Sequence, residues 1–225
     1  MNPPPGIETL TNGQWVIQGD THLSKWAHEH GNIVSDPCLM AWLKPHIEGV
    51  QVVWDIGANI GDHTRQYIDW GMDVVAVEPN PLPFRCLQHN CPEAQCLNIA
   101  ASDAFGTLRF SQFDNVGASR VAVEGDLQVE ARALDDMGII PAPDFIKLDV
   151  EGFEAFAITG MAGTITLYKP IIFSEFNKGA LAEQGCSPEG LRELIESLGY
   201  RLNAVYPPEA NWMWPQCDCL FLPLP

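Results

Sequence analysis

Val52-Val53-Trp54-Asp55-Ile56-Gly57-Ala58-Asn59-Ile60-Gly61-Asp62-His63 decides the fold: an apolar run of strand length passes into a glycine turn and then into a helix start. Open α/β sheets bind ligands beyond the carboxyl ends of their strands, and Asp55 puts a carboxylate there. The glycines at 57 and 61 let the backbone approach a ligand closely. A second apolar run, Asp73 to Val77, ends in Glu78, an acid that can accept hydrogen bonds from both hydroxyls of a ribose. The spacing is not G-x-G-x-x-G, because Asn59 stands at the second glycine and Gly61 comes one residue early. A pyrophosphate is therefore disfavoured, and a ribose-bearing ligand without phosphate is favoured.

From Gln51 onward, apolar runs alternate with helical patterns, the signature of a parallel sheet built from βαβ units. Strands are expected at 51–55, 73–78, 95–101, 143–149, 170–176, 200–206 and 216–222. Helices are expected at about 60–70, 81–91, 153–161 and 188–198, the last opened by Ser187-Pro188-Glu189 and closed at Gly199. Residues 105–134 read as an inserted β-meander, with strands at 107–110, 120–123 and 127–131. No helix-length segment separates 200–206 from 216–222, so a hairpin can place one antiparallel strand in a mostly parallel seven-stranded sheet. The first 49 residues are less regular: a short strand near 14–18, then a helix opening at Ser35 or Asp36 with Pro37 in its first turn. They read as an N-terminal cap over the sheet edge, with residues 50–225 forming one α/β domain.

The chain of 225 residues carries a formal net charge of −17, and its 12 lysines and arginines are scattered. That excludes the basic footprint of a nucleic-acid binder. Met1-Asn2-Pro3-Pro4-Pro5-Gly6 has neither a basic n-region nor an apolar h-region, and no apolar run approaches the roughly 20 residues of a membrane span. A cytoplasmic protein without membrane partners is expected. The 7 cysteines lack zinc-ligand spacing, and reduced thiols follow from that compartment.

Asp144-Phe145-Ile146-Lys147-Leu148-Asp149-Val150-Glu151-Gly152 ends a buried strand with two carboxylates at i and i+2. Both fall beside the ligand crevice; the lesser reading, for Glu151 more than for Asp149, is a turn or N-cap acid serving the helix that begins near Phe153. Lys147 alternates with Asp149 and can pair with a carboxylate of the same crevice. S-adenosylmethionine (SAM) has a ribose, no phosphate and a sulfonium cation, and so suits an acidic pocket. Asp55-Ile-Gly57-Ala-Asn59-Ile-Gly61, Glu78-Pro79-Asn80, Asn115-Val-Gly117, Ile146-Lys147-Leu-Asp149-Val-Glu151-Gly152 and Lys169-Pro170 leading to Glu175 together resemble the FkbM-type methyltransferase family. The resemblance covers roughly residues 50–178.

It implies a Rossmann-like class I methyltransferase that uses SAM to methylate a hydroxyl of a small metabolite or glycan. It also implies cofactor contacts by position. Asp55, Gly57, Asn59 and Gly61 would cradle the methionine part, Glu78 the ribose with Asn80 beside it, and Ala101, Ser102 and Asp103 the adenine edge. Asp103 reads almost equally as a turn acid ahead of Gly106. An aliphatic hydroxyl has a pKa of about 16, like water, so a base or metal assists. Glu151 ranks first as base, Asp149 as orienter or cofactor contact, and His63 as the alternative base, with Glu175 a further candidate. A carboxylate pair can hold a divalent metal, but no pattern demands one.

Other features carry less. His28 and His30 face apart on a helix, and the aromatic loop Tyr206 to Pro215 suits a sugar ring, the N-terminal segment or an oligomer partner. Two rivals stand beside the transferase: a non-catalytic SAM-fold interaction module, and an NAD-linked oxidoreductase on the same sheet.

Overall fold

The computed structural model describes residues 3–111, 120–121 and 125–225. The chain opens with a hairpin, β1 (Ile7–Thr9) and β2 (Trp15–Ile17), followed by α1 (Leu23–His30) and α2 (Pro37–Leu43). Next come β3 (Val52–Ile56), α3 (Asp62–Asp69), β4 (Asp73–Val77), α4 (Pro81–Asn90) and β5 (Gln95–Leu97). An insertion carries β6 (Ala100–Ala101), β7 (Gly106–Ser111), β8 (Arg120–Val121) and β9 (Leu127–Arg132). The chain ends with β10 (Phe145–Leu148), α5 (Glu154–Gly160), α6 (Ala162–Tyr168), β11 (Ile171–Asn177), α7 (Lys178–Glu183), α8 (Pro188–Ser197), β12 (Tyr200–Tyr206) and β13 (Gln216–Pro223). No helix of the described residues is long and apolar enough to cross a membrane.

Seven strands form the main sheet in the order β12-β13-β11-β10-β3-β4-β5. β13 is antiparallel to both its neighbours, and the remaining pairings are parallel. The order reverses between β3 and β10, leaving the crevice in which such sheets bind ligands.

Alternation along the strands sorts side chains onto two faces. Trp54, Ile56, Val75, Val77, Ile146 and Leu148 pack under Ala157, Ile158, Ile165, Leu191 and Ile195 of α5, α6 and α8. Val53, Val74, Ala76, Phe145, Phe173 and Leu220 pack under Leu39, Leu43, Tyr67 and Leu87 of α2, α3 and α4. On this second face the strands turn ionisable as they approach the crevice. Val53 is followed at i+2 by Asp55, Phe145 by Lys147 and then Asp149, and Phe173 by Glu175. In β13, which runs the opposite way, Asp218 precedes Leu220. Register aligns the switch: Lys147 lies between Asp55 and Phe173, and Glu175 opposite Asp218.

Helix starts follow the local chemistry. Asp36, Asn80 and Ser187 accept from the amides of Leu39 (2.9 Å), Leu82 (3.2 Å) and Gly190 (3.1 Å), each ahead of a proline in the first turn. The structure departs from expectation elsewhere. The anticipated strand 95–101 splits, because the Asn98 amide binds the carbonyls of Glu78 (2.8 Å) and Pro79 (3.0 Å) and turns the chain out of the sheet. Ala100–Ala101 then pairs with β9 in a second sheet of order β6-β9-β7-β8, so β7 rather than β8 lies between its companions. α6 has a poor helical sequence with Gly163, Thr164, Ile165 and Thr166; the Asp135 carboxylate accepts its amides at Gly163 (2.7 Å) and Thr164 (2.9 Å). The Asn115-Val-Gly117 element and part of the expected strand 120–123 lie outside the described residues.

The N-terminal segment has a small core of its own. Ile7, Val16, Ile17, Leu23, Ala27 and Ile33 pack on Ile60 and Cys86 of the sheet domain. Asn90 anchors it, accepting from the Trp15 amide (2.7 Å) and donating to the carbonyls of Trp15 (2.9 Å) and Ile60 (2.8 Å). His28 and His30 diverge, one toward Glu8 (3.4 Å) and the other stacked on Trp26 (4.1 Å between ring centroids).

α5 meets the second sheet so closely that a Cβ on Gly160 would lie 1.8 Å from the Ser102 carbonyl oxygen, against backbone that cannot yield. Gly160→Ala is expected to cost about 1–3 kcal/mol through overpacking. Gly190→Ala, on the exposed side of α8 with only ordinary 3.7 Å contacts, should be neutral or stabilise by up to about 1 kcal/mol. Urea denaturation of the two variants checks the contrast; equal stabilities would refute the packing argument.

Candidate functional site

Lys147 is the electrostatic centre of the crevice. The residue is 5% exposed, and its ammonium donates to the Gly57 carbonyl at 2.8 Å and lies 3.4 Å from both Asp55 Oδ1 and Asp149 Oδ2. Burial works against its charge, but Asp149 and Asp55 outweigh that and hold the ammonium above the ordinary lysine range. Asp55 is fully buried, and its other oxygen accepts from the Thr64 hydroxyl at 2.6 Å. A Cβ at Gly57, where φ is +86°, would fall 1.8 Å from the Asp149 carbonyl oxygen. The glycine turn and the end of β10 are therefore in direct contact.

Glu78 closes the next strand. Its carboxylate accepts the amides of Asn59 (2.9 Å) and Asn80 (2.7 Å), one on each oxygen. Each oxygen keeps capacity for a further donor. Burial lifts this acid to about 7, against the pull of the two amides and Lys147. Gly61 caps the start of α3, and Cys91 Sγ lies 3.4 Å from its carbonyl.

Three acids cluster past Lys147: Asp149, Glu151 and Glu175 each bring a carboxylate oxygen within 4.8 Å of the others. Burial, reinforced by Asp149 and Glu151, pushes Glu175 well above the ordinary carboxylate range. Asp218, across from Glu175, is lifted to about 7 by burial and by Asp149. Gln216 donates to Glu175 Oε1 at 2.7 Å. The turn bearing Glu151, at φ +53°, is held from behind. Glu154 Oε1 accepts the amides of Val150 and Gly152, both at 3.1 Å, so Glu154 supplies the turn and helix-start role that Glu151 offered in the sequence. On the α3 side, His63 Nε2 lies 3.7 Å from Asp62 Oδ2, which also accepts from the Ser35 hydroxyl at 2.6 Å.

These groups surround a cavity of about 480 Å³, a size usual for small-molecule sites. Gly57, Asn59, His63, Glu78, Asp149 and Glu151 line it directly. Asp55 and Asn80 stand behind that wall, buried, and Gly61 also lies outside the lining. Ala101 lines a smaller adjoining space of about 20 Å³ that shares Gly57, Pro79, Phe110 and Val150 with the main cavity. Ser102 is buried outside both and donates to the exposed Asp103 at 3.2 Å. His22, Leu23, Ser35, Asp36 and Leu39 bring the N-terminal segment into the wall. Asp218, Gln216 and Glu154 were not singled out from sequence. Asp218 had a signal, the one charge in the apolar run Cys217 to Leu222, set on the opposite face from the two cysteines.

A raised acid pKa favours the folded state only while the acid is protonated, so stability is highest below the unfolded pKa and falls as pH rises to the folded one. For Asp218 that window runs from 3.8 to about 7, and Glu78 and Glu154, each lifted from 4.5 to about 7, add to it. Urea unfolding of the free protein between about pH 5 and about pH 8 should show falling stability, with a shallower fall in Asp218→Asn. An unchanged slope in that variant would contradict the assignment.

Comparison with known proteins bears on this arrangement. The profile of the Methyltransferase FkbM domain matches residues 55–202. A curated relative, the hexuronic acid methyltransferase AglP of Haloferax volcanii, is 32% identical over 123 residues, 51% of this chain and 51% of its own. The chain thus spans about half the length of the curated relative it matches. Among solved structures, Methyltransferase FkbM from Methylobacillus flagellatus KT aligns with a TM-score of 0.52 at 21% identity, over 76% of this chain and 43% of that one. Magnesium protoporphyrin IX methyltransferase (ChlM) from Synechocystis PCC 6803 with bound SAH aligns with a TM-score of 0.53 at 10% identity, over 91% and 95%. The structural likenesses show the Rossmann-like class I methyltransferase fold, with its antiparallel strand β13. By the match over residues 55–202, the chain belongs to the FkbM methyltransferase family.

Proposed function

We propose that the chain transfers a methyl group from SAM to a hydroxyl oxygen of a small metabolite or glycan, with a uronic acid sugar as the acceptor class to try first. The observation that carries this reading is Glu78, a buried strand-end carboxylate lining the cavity, anchored by two amides and still able to accept two ribose hydroxyls. The charge pattern supports it. Lys147 is the one lysine or arginine among the described residues lining the cavity, and it is engaged by Asp55, Asp149 and the Gly57 carbonyl. That leaves a pyrophosphate no counter-charge, whereas a sulfonium cation suits the surrounding carboxylates. The uronic acid suggestion comes from the relative named for hexuronic acid methylation.

In this reading Gly57, Asn59 and Asp149 hold the amino acid end of SAM, Glu78 the ribose, and the Ala101 side of the cavity the adenine. SAM supplies an electrophilic methyl carbon on sulfur: an O–C bond forms, the C–S pair returns to sulfur, and the hydroxyl proton leaves. Glu151 takes that proton, with Asp149 orienting the acceptor and His63 as the alternative base. Glu154, through the Val150 and Gly152 amides, fixes where the Glu151 carboxylate sits. Residues 1–49 act as a cap whose Ser35, Asp36 and Leu39 close the acceptor side and exclude water.

Calorimetric titration with S-adenosylhomocysteine (SAH), the demethylated product, should show saturable binding. A charged hydrogen bond contributes about 1.5–3 kcal/mol, so Glu78→Ala should weaken SAH by at least about tenfold. Gly57→Val should abolish binding. Glu151→Gln should lower kcat by about 10²–10⁴-fold with SAH affinity retained. Wild-type SAH affinity in Glu78→Ala, or tight nicotinamide binding without SAH binding, would overturn the cofactor assignment. SAH binding without turnover of any hydroxyl acceptor would favour the interaction module.

A further inference from the structure

We propose that Asp149, Glu151 and Glu175 bind one hard divalent cation, Mg²⁺ or Mn²⁺, which joins the carboxylate cluster to two adjacent oxygens of the acceptor. The geometry comes first. Two oxygens bound to one ion can be no further apart than twice the metal–oxygen distance, about 4.2 Å for Mg²⁺ at about 2.1 Å. The carboxylate oxygens of these three residues lie within 4.8 Å of one another, so side-chain rotation of less than about 1 Å brings them onto one ion. All three line the same cavity. The donors are oxygens without imidazole or thiolate, a set that suits Mg²⁺ and Mn²⁺ over zinc or copper.

Acidic clusters are common without ions, and Glu175 sets this one apart. It is 8% exposed, Gln216 holds its Oε1, and its Oε2 is buried with no hydrogen-bond partner among the described residues. A buried carboxylate oxygen left unpaired is costly, and the cost disappears when a cation takes it up. Lys147 does not serve this purpose, because its ammonium contacts Asp55 and Asp149. Of Asp149, Lys147 approaches Oδ2, so the same carboxylate can bridge the ammonium and a cation. Asp218 adds a fourth carboxylate directly opposite Glu175 in the sheet and deepens the negative field at the site.

The cation's role, unlike its binding, rests on the transferase reading. Carboxylates facing the cavity repel an anionic acceptor, and an interposed dication reverses that. It also makes the bound hydroxyl more acidic. The hydroxyl proton passes to the Glu151 oxygen not engaged by the ion, while the O–C bond forms and the C–S pair returns to sulfur. The acceptor is then one that offers two oxygens to one ion, such as a vicinal diol or a hydroxyl beside a carboxylate.

The test uses the full chain and Mn²⁺ alone, following loss of the free-ion electron paramagnetic resonance signal, with SAH affinity measured in parallel. The wild type should bind Mn²⁺ saturably at one site, displaced by Mg²⁺. Glu175→Gln and Glu151→Gln should each weaken Mn²⁺ by at least about tenfold. Glu48→Gln, at an exposed position, should leave it unchanged. Retained SAH affinity in Glu175→Gln reports an intact fold; should that variant misfold, Glu151→Gln, expected to keep SAH affinity, carries the same test. Unchanged Mn²⁺ affinity in both cluster variants, or weak unsaturable binding as expected for a surface of net charge −17, would overturn the site. Turnover insensitive to chelator, with SAH bound, would overturn its role and leave the transferase reading standing. Mn²⁺ binding that is lost in the variants, without SAH binding in the wild type, would uphold the site and sink the cofactor reading.

Discussion

A buried ammonium must be surrounded by acceptors, and Lys147 meets that condition in a way that holds the crevice together. Its partners come from the end of β3, the turn that follows it, and the end of β10. The Asp55 carboxylate it faces also takes the Thr64 hydroxyl, so α3 is tied to the same point. Removing one partner of such a buried pair typically costs about 3–5 kcal/mol, because the other charge is left stranded. That asymmetry gives specificity rather than bulk stability. Strands in a shifted register would leave Lys147 without Asp55 and Asp55 without a cation.

One sheet face carries both the core and the site, which explains how a site so rich in charge survives. Val53, Phe145, Phe173 and Leu220 are buried under helices, and two residues further toward the crevice the same rows become Asp55, Lys147, Glu175 and Asp218. The apolar rows fix the backbone positions, and the acids inherit them. Their low-dielectric surroundings raise Glu78, Asp218 and Glu175 above ordinary carboxylates, and a ligand of positive charge in the crevice offsets the cost of keeping them ionised. A sulfonium and a dication are both such ligands. Much of the energetic logic of the proposed chemistry is therefore already present in how the sheet is packed.

Much of the fold could be read from local patterns. The glycine turn after Asp55, the acid ending β4, and the paired acids after β10 all lie where strand-end reasoning puts them, and Glu78, Asp149 and Glu151 meet at one cavity. Reading Glu151 as a turn acid was also chemically sensible. The turn did need a carboxylate for its amides, and Glu154, three residues on, provides it from within the helix. The split of the third strand was hidden because Asn98 turns the chain through bonds to the carbonyls of Glu78 and Pro79, some twenty residues away. α6 was hidden for a similar reason, since the carboxylate that caps it belongs to Asp135.

Residue identity and spacing by themselves determined the strand and helix periods, the proline-led helix starts, the glycine turn and the antiparallel end of the sheet. Each depends on neighbours along the chain, through backbone geometry and the alternation of buried side chains. The tertiary structure alone decided which acids converge. Glu175 faces Asp218 because β11 pairs with β13, and both approach Asp149 because β10 lies next to β11. It also decided that Ser35, Asp36 and Leu39 wall a cavity to which β10, β11 and β13, more than a hundred residues later, contribute Lys147, Glu175 and Asp218. Strand order and register are set by burial summed over the whole core, a quantity that no short stretch of sequence contains.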